Sequence, residues 1–318
     1  MSRAASTRCE SSVTPGTQRL TAISPPSWRD AVVHALALSR DARWTAAGGG
    51  LWTQAWRVEE RGAAFFVKIA RERYADAIAA EADGLRALAD AEAIVVPRVI
   101  GTGASADIAF LALDWLDLHP PHAGAALGRA LAALHRVRPA HGSAGERFGW
   151  HRDNWIGGTP QANAWRDDWA AFFRDARLAP QLALAAGNGY GSAMQRDGER
   201  LLAALPTLLR GHDPAPSLLH GDLWSGNAAT LADGTPIVFD PAVYVGDREA
   251  DLAMTELFGG FGADFLAAYR EGWPLDDAYP LRRTLYNLYH VLNHLNLFGE
   301  GYLSRARREI AWLLAQAG

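Results

Sequence analysis

LLHGDLWSGN, residues 218–227, and its continuation AATLADGTPIVFD, which ends at Asp240, decide how this chain folds. An apolar, β-like approach leads into a tight Gly-bearing loop that carries Asp222, Trp224 and Asn227. The segment after it reads as a hairpin turned at Asp233-Gly234, which brings the chain from Asn227 back to Asp240. Three oxygen-bearing side chains are thereby expected to converge: Asp222, Asn227 and Asp240. Phosphoryl transfer needs a carboxylate to receive the acceptor hydroxyl proton and hard oxygen ligands for magnesium on the nucleotide phosphates. The five-residue interval from Asp222 to Asn227 matches a kinase catalytic loop. Taken singly, each residue has an ordinary structural explanation as a turn cap, an Asx-turn or a strand end.

Upstream, Lys68 is the only lysine among 31 basic residues. Where a positive charge only has to be solvated, this chain uses Arg. Lys68 stands in AAFFVKIA, a strand-like apolar run where an unpartnered ammonium would be costly. A compact charge on a flexible stem reaches a phosphate as a planar guanidinium cannot. One hairpin earlier come Gly48, Gly49 and Gly50, either a plain flexible turn or a loop whose exposed N–H groups cover phosphates. After Lys68, YADAIAAEADGLRALADAEA has helical spacing and places Glu81 where it could pair with the lysine. The segment IVVPRVIGTGASADIAFLALDWLDL adds two or three strands. From GAALGRALAALHRVRP onward the periodicity is helical, interrupted only by the 218–240 insertion. The fold class is therefore α+β and bilobal. A sheet lobe over residues 25–116 is followed by a mainly helical lobe over residues 117–318, joined near residues 114–118.

Composition narrows the function. With 318 residues, 49% hydrophobic and 21% charged, and a formal net charge of −4, the chain is an ordinary globular protein with no charge excess for nucleic acid. Apolar runs break well before the roughly 18 residues a membrane-spanning helix requires. A single cysteine, Cys9, fits a reducing cytosol. Residues 1–24 lack the apolar core of a secretory signal and read as a disordered tail, although their Arg and Ser content also suits a transit peptide. There is no internal repeat.

Four stretches together, HGDLWSGN, FGWHRDNWIGGTPQANAWRDDWAAFFRDARL, DPAVYVGDREADLAMTELFGGF and LYHVLNHLNLFG, resemble the fructosamine kinases, or ketosamine-3-kinases. That family lies within the protein-kinase-like, aminoglycoside-phosphotransferase-like fold, and the resemblance runs from about residue 28 to 316. It implies ATP-dependent phosphorylation of the 3-hydroxyl of a ketose carried on an amine, free or protein-bound. It also implies Asp222 as base, Asn227 and Asp240 as magnesium ligands, Lys68 with Glu81 as a phosphate-positioning ion pair, and backbone groups of Asp114, Trp115 and Leu116 as an adenine-holding hinge. Simple aminoglycoside or choline kinases share HGD and the later Asp, and with a non-catalytic nucleotide-binding protein they form the alternatives. The chain departs from the family at the glycine turn. Gly50 replaces a polar residue and no Cys stands near it, so redox switching there is not expected.

Trp224, two residues from the base, is expected to stack on a sugar face. His290 and His294 lie one helical turn apart but lack a third metal ligand, so they read as core or cleft packing, with His294 toward the substrate. His220 is expected to hold the loop by hydrogen bonds, and Asp247 and Asp251 to mark a helix start, with Asp247 as its N-cap, and both to support the loop rather than react. The oligomeric state stays open, with a monomer as the working expectation.

Overall fold

The computed structural model describes residues 25–120, 124–137 and 147–318. The tail expected over residues 1–24 lies outside the described residues.

The N-terminal half is built on strand alternation. Helix α1 (Pro25–Ala35) precedes strands β1 (Arg43–Gly49), β2 (Thr53–Glu60) and β3 (Ala63–Arg71), then helix α2 (Ala75–Asp90) and strands β4 (Val99–Ala104) and β5 (Ile108–Asp114). The strands form one antiparallel sheet in the order β1-β2-β3-β5-β4. Successive strand residues point to opposite faces. Val67 and Ile69 of β3, with Ile108, Phe110 and Ala112 of β5, pack with Trp28 and Val32 of α1. The intervening Ala70, Ala109, Leu111 and Leu113 pack with Ile78, Ala82 and Leu85 of α2. Lys68, between Val67 and Ile69, therefore points to the α2 face. Residues 94–118, read as two or three strands, contribute two.

The C-terminal half begins with α3 (Gly124–Arg136) and a short hairpin, β6 (Asn154–Ile156) with β7 (Thr159–Gln161). The sequence reading missed this hairpin, because three-residue strands around Gly157-Gly158 are too short for alternation to register. Helices α4 (Trp169–Phe173) and α5 (Ala179–Gly187) are joined through a π-helical turn at Arg174–Leu178, and α6 (Ser192–Leu208) follows. Strands β8 (Pro216–Leu219), β9 (Ala228–Thr230), β10 (Pro236–Val238) and β11 (Tyr244–Asp247) carry the 218–247 insertion. Its β9–β10 hairpin turns at the expected Asp233-Gly234. The apolar run over residues 249–273 divides into α7 (Glu249–Leu257) and α8 (Ala263–Gly272), separated by Gly259-Gly260. Two last helices, α9 (Tyr279–Phe298) and α10 (Leu303–Ala317), complete the chain, with most of α9 buried in the core. Among the described residues, no helix is long and apolar enough to cross a membrane.

Candidate active site

The loop after β8 is held from both ends. β8 and β11 pair antiparallel, with Leu219 opposite Tyr244, so the outgoing and returning chains are fixed side by side. Asp251, on α7, reaches back to accept the His220 N–H at 2.7 Å and the Gly221 N–H at 2.8 Å, one with each carboxylate oxygen. Burial opposes charge on Asp251, but its bond with His135 first of all, and after it the Gly221 N–H, hold the carboxyl below the usual range. Gly221 has φ +83°, and a Cβ there would collide with the Ala242 carbonyl, so only glycine fits the corner. His220 is buried, and that burial above all holds its imidazole below the usual range. Its Nε2–H donates to the Phe239 carbonyl at 3.1 Å, while Nδ1 accepts the Asp222 N–H at 3.3 Å. The expected supporting roles of His220 and Asp251 match this geometry. Asp247 does not touch the loop. It accepts the Glu249 N–H at the start of α7 and bonds His212 and Tyr286, both at 2.6 Å.

Asp222, Asn227, Asp240, Lys68 and Glu81 come together in one cleft. The Asn227 amide nitrogen donates to the Asp222 carbonyl at 2.9 Å, to Asp222 Oδ2 at 3.2 Å and to the Asp240 carbonyl at 3.4 Å. With Nδ2 so committed, Asn227 Oδ1 is left as an available oxygen donor. Lys68 Nζ lies 2.7 Å from Glu81 Oε1 and 2.8 Å from Asp240 Oδ1, although the lysine is only 8% exposed. Burial works against its charge, but Asp240 and then Glu81 outweigh it and raise its proton affinity. The same ammonium holds the Asp240 carboxyl below the usual range, against the desolvation of a carboxylate that is still half exposed to the cleft. Asp240 takes a left-handed backbone, φ +55°, at the end of the hairpin, and Pro241 follows. Asp222, with no cation beside it, is pushed up to about 7 by burial first and by Asp240 second.

The cleft measures about 600 Å³, and Gly50, Trp224 and His294 also line it. Trp224 is 39% exposed, with its ring edge-on to Phe258 at 6.3 Å, so it is not a core tryptophan. His294 donates from Nδ1 to the His290 carbonyl at 2.8 Å, and its ring meets those of Phe258, Phe298 and Tyr302. His290 is buried and pushed down to about 3, mainly by that burial. The pair is therefore packing, not metal ligation, and His294 turns its remaining ring nitrogen away from the helix backbone. The aromatic ring around His294 was not foreseen, since Phe258, Phe298 and Tyr302 come from separate elements.

Five expected nucleotide contacts do not line this cleft: Gly48, Gly49, Asp114, Trp115 and Leu116. The Gly50 N–H, expected to face phosphate, donates instead to the Thr53 carbonyl at 3.1 Å and to its hydroxyl at 3.2 Å, closing the β1–β2 turn on itself. In the proposed hinge the Asp114 N–H donates to the Arg98 carbonyl and the Trp115 N–H to the Ala64 carbonyl. Those two donors serve the sheet, which leaves Leu116 and the carbonyls for a base. Trp52, not singled out from the sequence, ties the glycine turn across the cleft, its indole N–H donating to the Gly157 carbonyl at 3.0 Å.

The family model of the fructosamine kinases matches residues 33–316, nearly the whole described chain. The chain belongs to the fructosamine kinase family. It is 45% identical over 265 residues to a probable ketoamine kinase of Synechocystis, covering 82% of this chain and 86% of that one. It is 38% identical to a chloroplastic protein-ribulosamine 3-kinase of rice, covering 81% of this chain and 75% of the rice protein. Among solved structures, a protein of Thermobifida fusca provisionally assigned as a fructosamine-3-kinase superposes with a TM-score of 0.77 at 33% identity, covering 91% and 99% of the two chains. A streptomycin–ATP complex of the aminoglycoside phosphotransferase APH(2″)-IIa has a TM-score of 0.61 at 13% identity, which shows the shared kinase-like fold alone. The five-stranded sheet over a helical half is thus the fructosamine kinase fold.

Proposed function

We propose that the protein transfers the γ-phosphoryl group of ATP to the 3-hydroxyl of a ketosamine. The convergence of Lys68, Asp240, Asn227 and Asp222 beside the exposed ring of Trp224 carries this reading. In the transfer, Asp222 takes the proton of the 3-hydroxyl as its oxygen forms a bond to the γ-phosphorus. The bond from that phosphorus to the β–γ bridging oxygen breaks, and ADP leaves. Lys68, steadied by Glu81, neutralises charge on the phosphates. Asn227 Oδ1 and the Asp240 carboxylate, half exposed to the cleft, are hard oxygen donors that fit magnesium. When bound there, the ion would offset phosphate charge. Names of the Synechocystis and rice relatives support a ketosamine acceptor, and the ATP bound in the APH(2″)-IIa complex supports the nucleotide. We place the enzyme in the cytosol.

An acceptor panel tests this reading. ATP consumption should appear with ribulosamine or fructosamine adducts and be absent with an aminoglycoside or an amino-alcohol such as choline. Turnover with either of the latter and none with a ketosamine would reassign the acceptor.

Two substitutions probe separate parts. Asp240→Asn removes one carboxylate ligand to a hard cation and should raise the magnesium concentration needed for half-maximal turnover or abolish activity. An unchanged magnesium titration would move the metal site elsewhere. Trp224→Ala removes only the proposed stacking face, so KM for the ketosamine should rise by about 1 kcal/mol, roughly fivefold, with KM for ATP unchanged. If ATP affinity suffers equally, or only the melting temperature falls, Trp224 is not an acceptor platform.

A further inference from the structure

On the reading that the Lys68–Glu81 pair positions phosphate, something must keep α2 set so that Glu81 faces the lysine. Apart from the Lys68–Glu81 pair itself, the contacts of α2 with the sheet are apolar, through Ile78, Ala82 and Leu85. Such contacts are non-directional and resist rotation of the helix weakly. The directional contacts come from the other half of the molecule. Trp150, 5% exposed, donates its indole N–H to Asp83 Oδ2 at 2.8 Å, and His151 Nε2 lies 3.2 Å from Asp83 Oδ1. Arg152 donates to the Asp76 carbonyl, in the first turn of α2, at 3.3 Å. Next to Asp83, a Cβ on Gly84 would stand 3.0 Å from Val243 and 3.4 Å from Pro241, so the helix backbone rests directly on the chain that leaves Asp240.

The gripping segment is itself fixed. Asn154 donates to the Val243 carbonyl at 2.7 Å, and Gln161 donates to Asn154 at 2.7 Å and accepts from the Tyr289 hydroxyl at 2.6 Å. The buried Arg177 donates to Asn163 Oδ1 at 2.8 Å. Residues 150–163 therefore join α2 to α9 and to the 242–243 chain. Asp83 is two residues from Glu81, about 200° around the helix, so a grip at Asp83 sets the rotation that presents Glu81 to Lys68.

We infer that residues 150–163 form a fixed clamp on α2, with Asp83 as the positioning residue that keeps Glu81 against Lys68. Where a switchable kinase assembles this ion pair by moving the corresponding helix, the clamp holds it assembled.

A double-mutant cycle on the full chain tests the clamp, with a thermal melt on each variant to show that it is folded. Asp83→Ala should lower kcat by about tenfold or more with KM for the ketosamine unchanged, a cost of misplacement rather than of lost contact. Asp83→Asn, which keeps an oxygen for the Trp150 N–H, should retain most of the turnover. In Glu81→Ala the ion pair is already gone, so adding Asp83→Ala should cost no more than about a further twofold, a non-additivity expected of residues acting through one another. Losses that multiply in the double variant, or an undiminished kcat in Asp83→Ala, would overturn the clamp alone. Full turnover in Glu81→Ala would overturn the role given to the ion pair, and the clamp with it. If Asp83→Ala does not fold, Trp150→Phe keeps an aromatic ring, removes the donor and enters the same cycle with the same expectations.

Discussion

Asp222→Asn is expected to bind nucleotide as tightly as the parent and turn over at least about 10²-fold more slowly. The substitution keeps the size of the side chain and an oxygen that can still accept from the Asn227 amide nitrogen, which in the parent lies 3.2 Å from Asp222 Oδ2. The loop should therefore survive, because its anchors are elsewhere: Asp251 on the His220 and Gly221 N–H groups, and His220 between the Asp222 N–H and the Phe239 carbonyl. What is lost is the capacity to take a proton. The environment of Asp222 suits that proposed task. Burial, then Asp240, push its carboxyl up to about 7, near the pH at which a base must hold and release a proton. Only the unprotonated carboxylate can act, so turnover should fall as pH drops through that range. A cation held by Asp240 would offset part of that cause and shift this limb downward. Steady-state kinetics against pH check both points, since the residual activity of Asp222→Asn should lack the limb. A folded Asp222→Asn within a few-fold of the parent would remove Asp222 as base.

Lys68→Arg conserves charge and follows the chain's own preference, yet turnover should fall by about 10²-fold, the scale of a misplaced reacting group. The ammonium sits in a nearly closed site, 2.7 Å from Glu81 Oε1 and 2.8 Å from Asp240 Oδ1. A guanidinium is planar and broader, and spreads its donors along a rigid fork, so it cannot occupy the same point between two carboxylates and still leave a donor for phosphate. The check is kcat and KM for ATP, read beside the melting temperature. Near-normal kinetics in a folded Lys68→Arg would show that the lone lysine has no part in handling phosphate.

Lys68 and Asp240 were legible in the sequence because local rules expose them. Alternation in β3 and β5 sends Lys68 to the α2 face, and the Asp233-Gly234 turn forces Asp240 back beside Asn227. At the glycine turn and the hinge, local rules reach less far. A Gly-rich tip advertises free N–H groups, but whether Thr53 or a ligand receives the Gly50 N–H depends on a side chain three residues away. The Asp114 and Trp115 donors are consumed by Arg98 and Ala64, partners fixed by how strands pack and not by local pattern. Long-range polar contacts were equally hidden. Nothing near Trp52 names Gly157, and nothing near Asp83 names Trp150, because periodicity reports which face a residue takes and not which distant donor meets it there.

The most direct measurement is the position of the phosphate on the product. Incubation of the full chain with ATP, magnesium and a synthetic ribulosamine or fructosamine, followed by proton–phosphorus correlation NMR, should show phosphorus coupled to the proton on carbon 3 of the ketose. A phosphate on any other hydroxyl or on the amine, or ADP formed with no phosphorylated ketosamine, would contradict the assignment of this cleft as a ketosamine 3-kinase site.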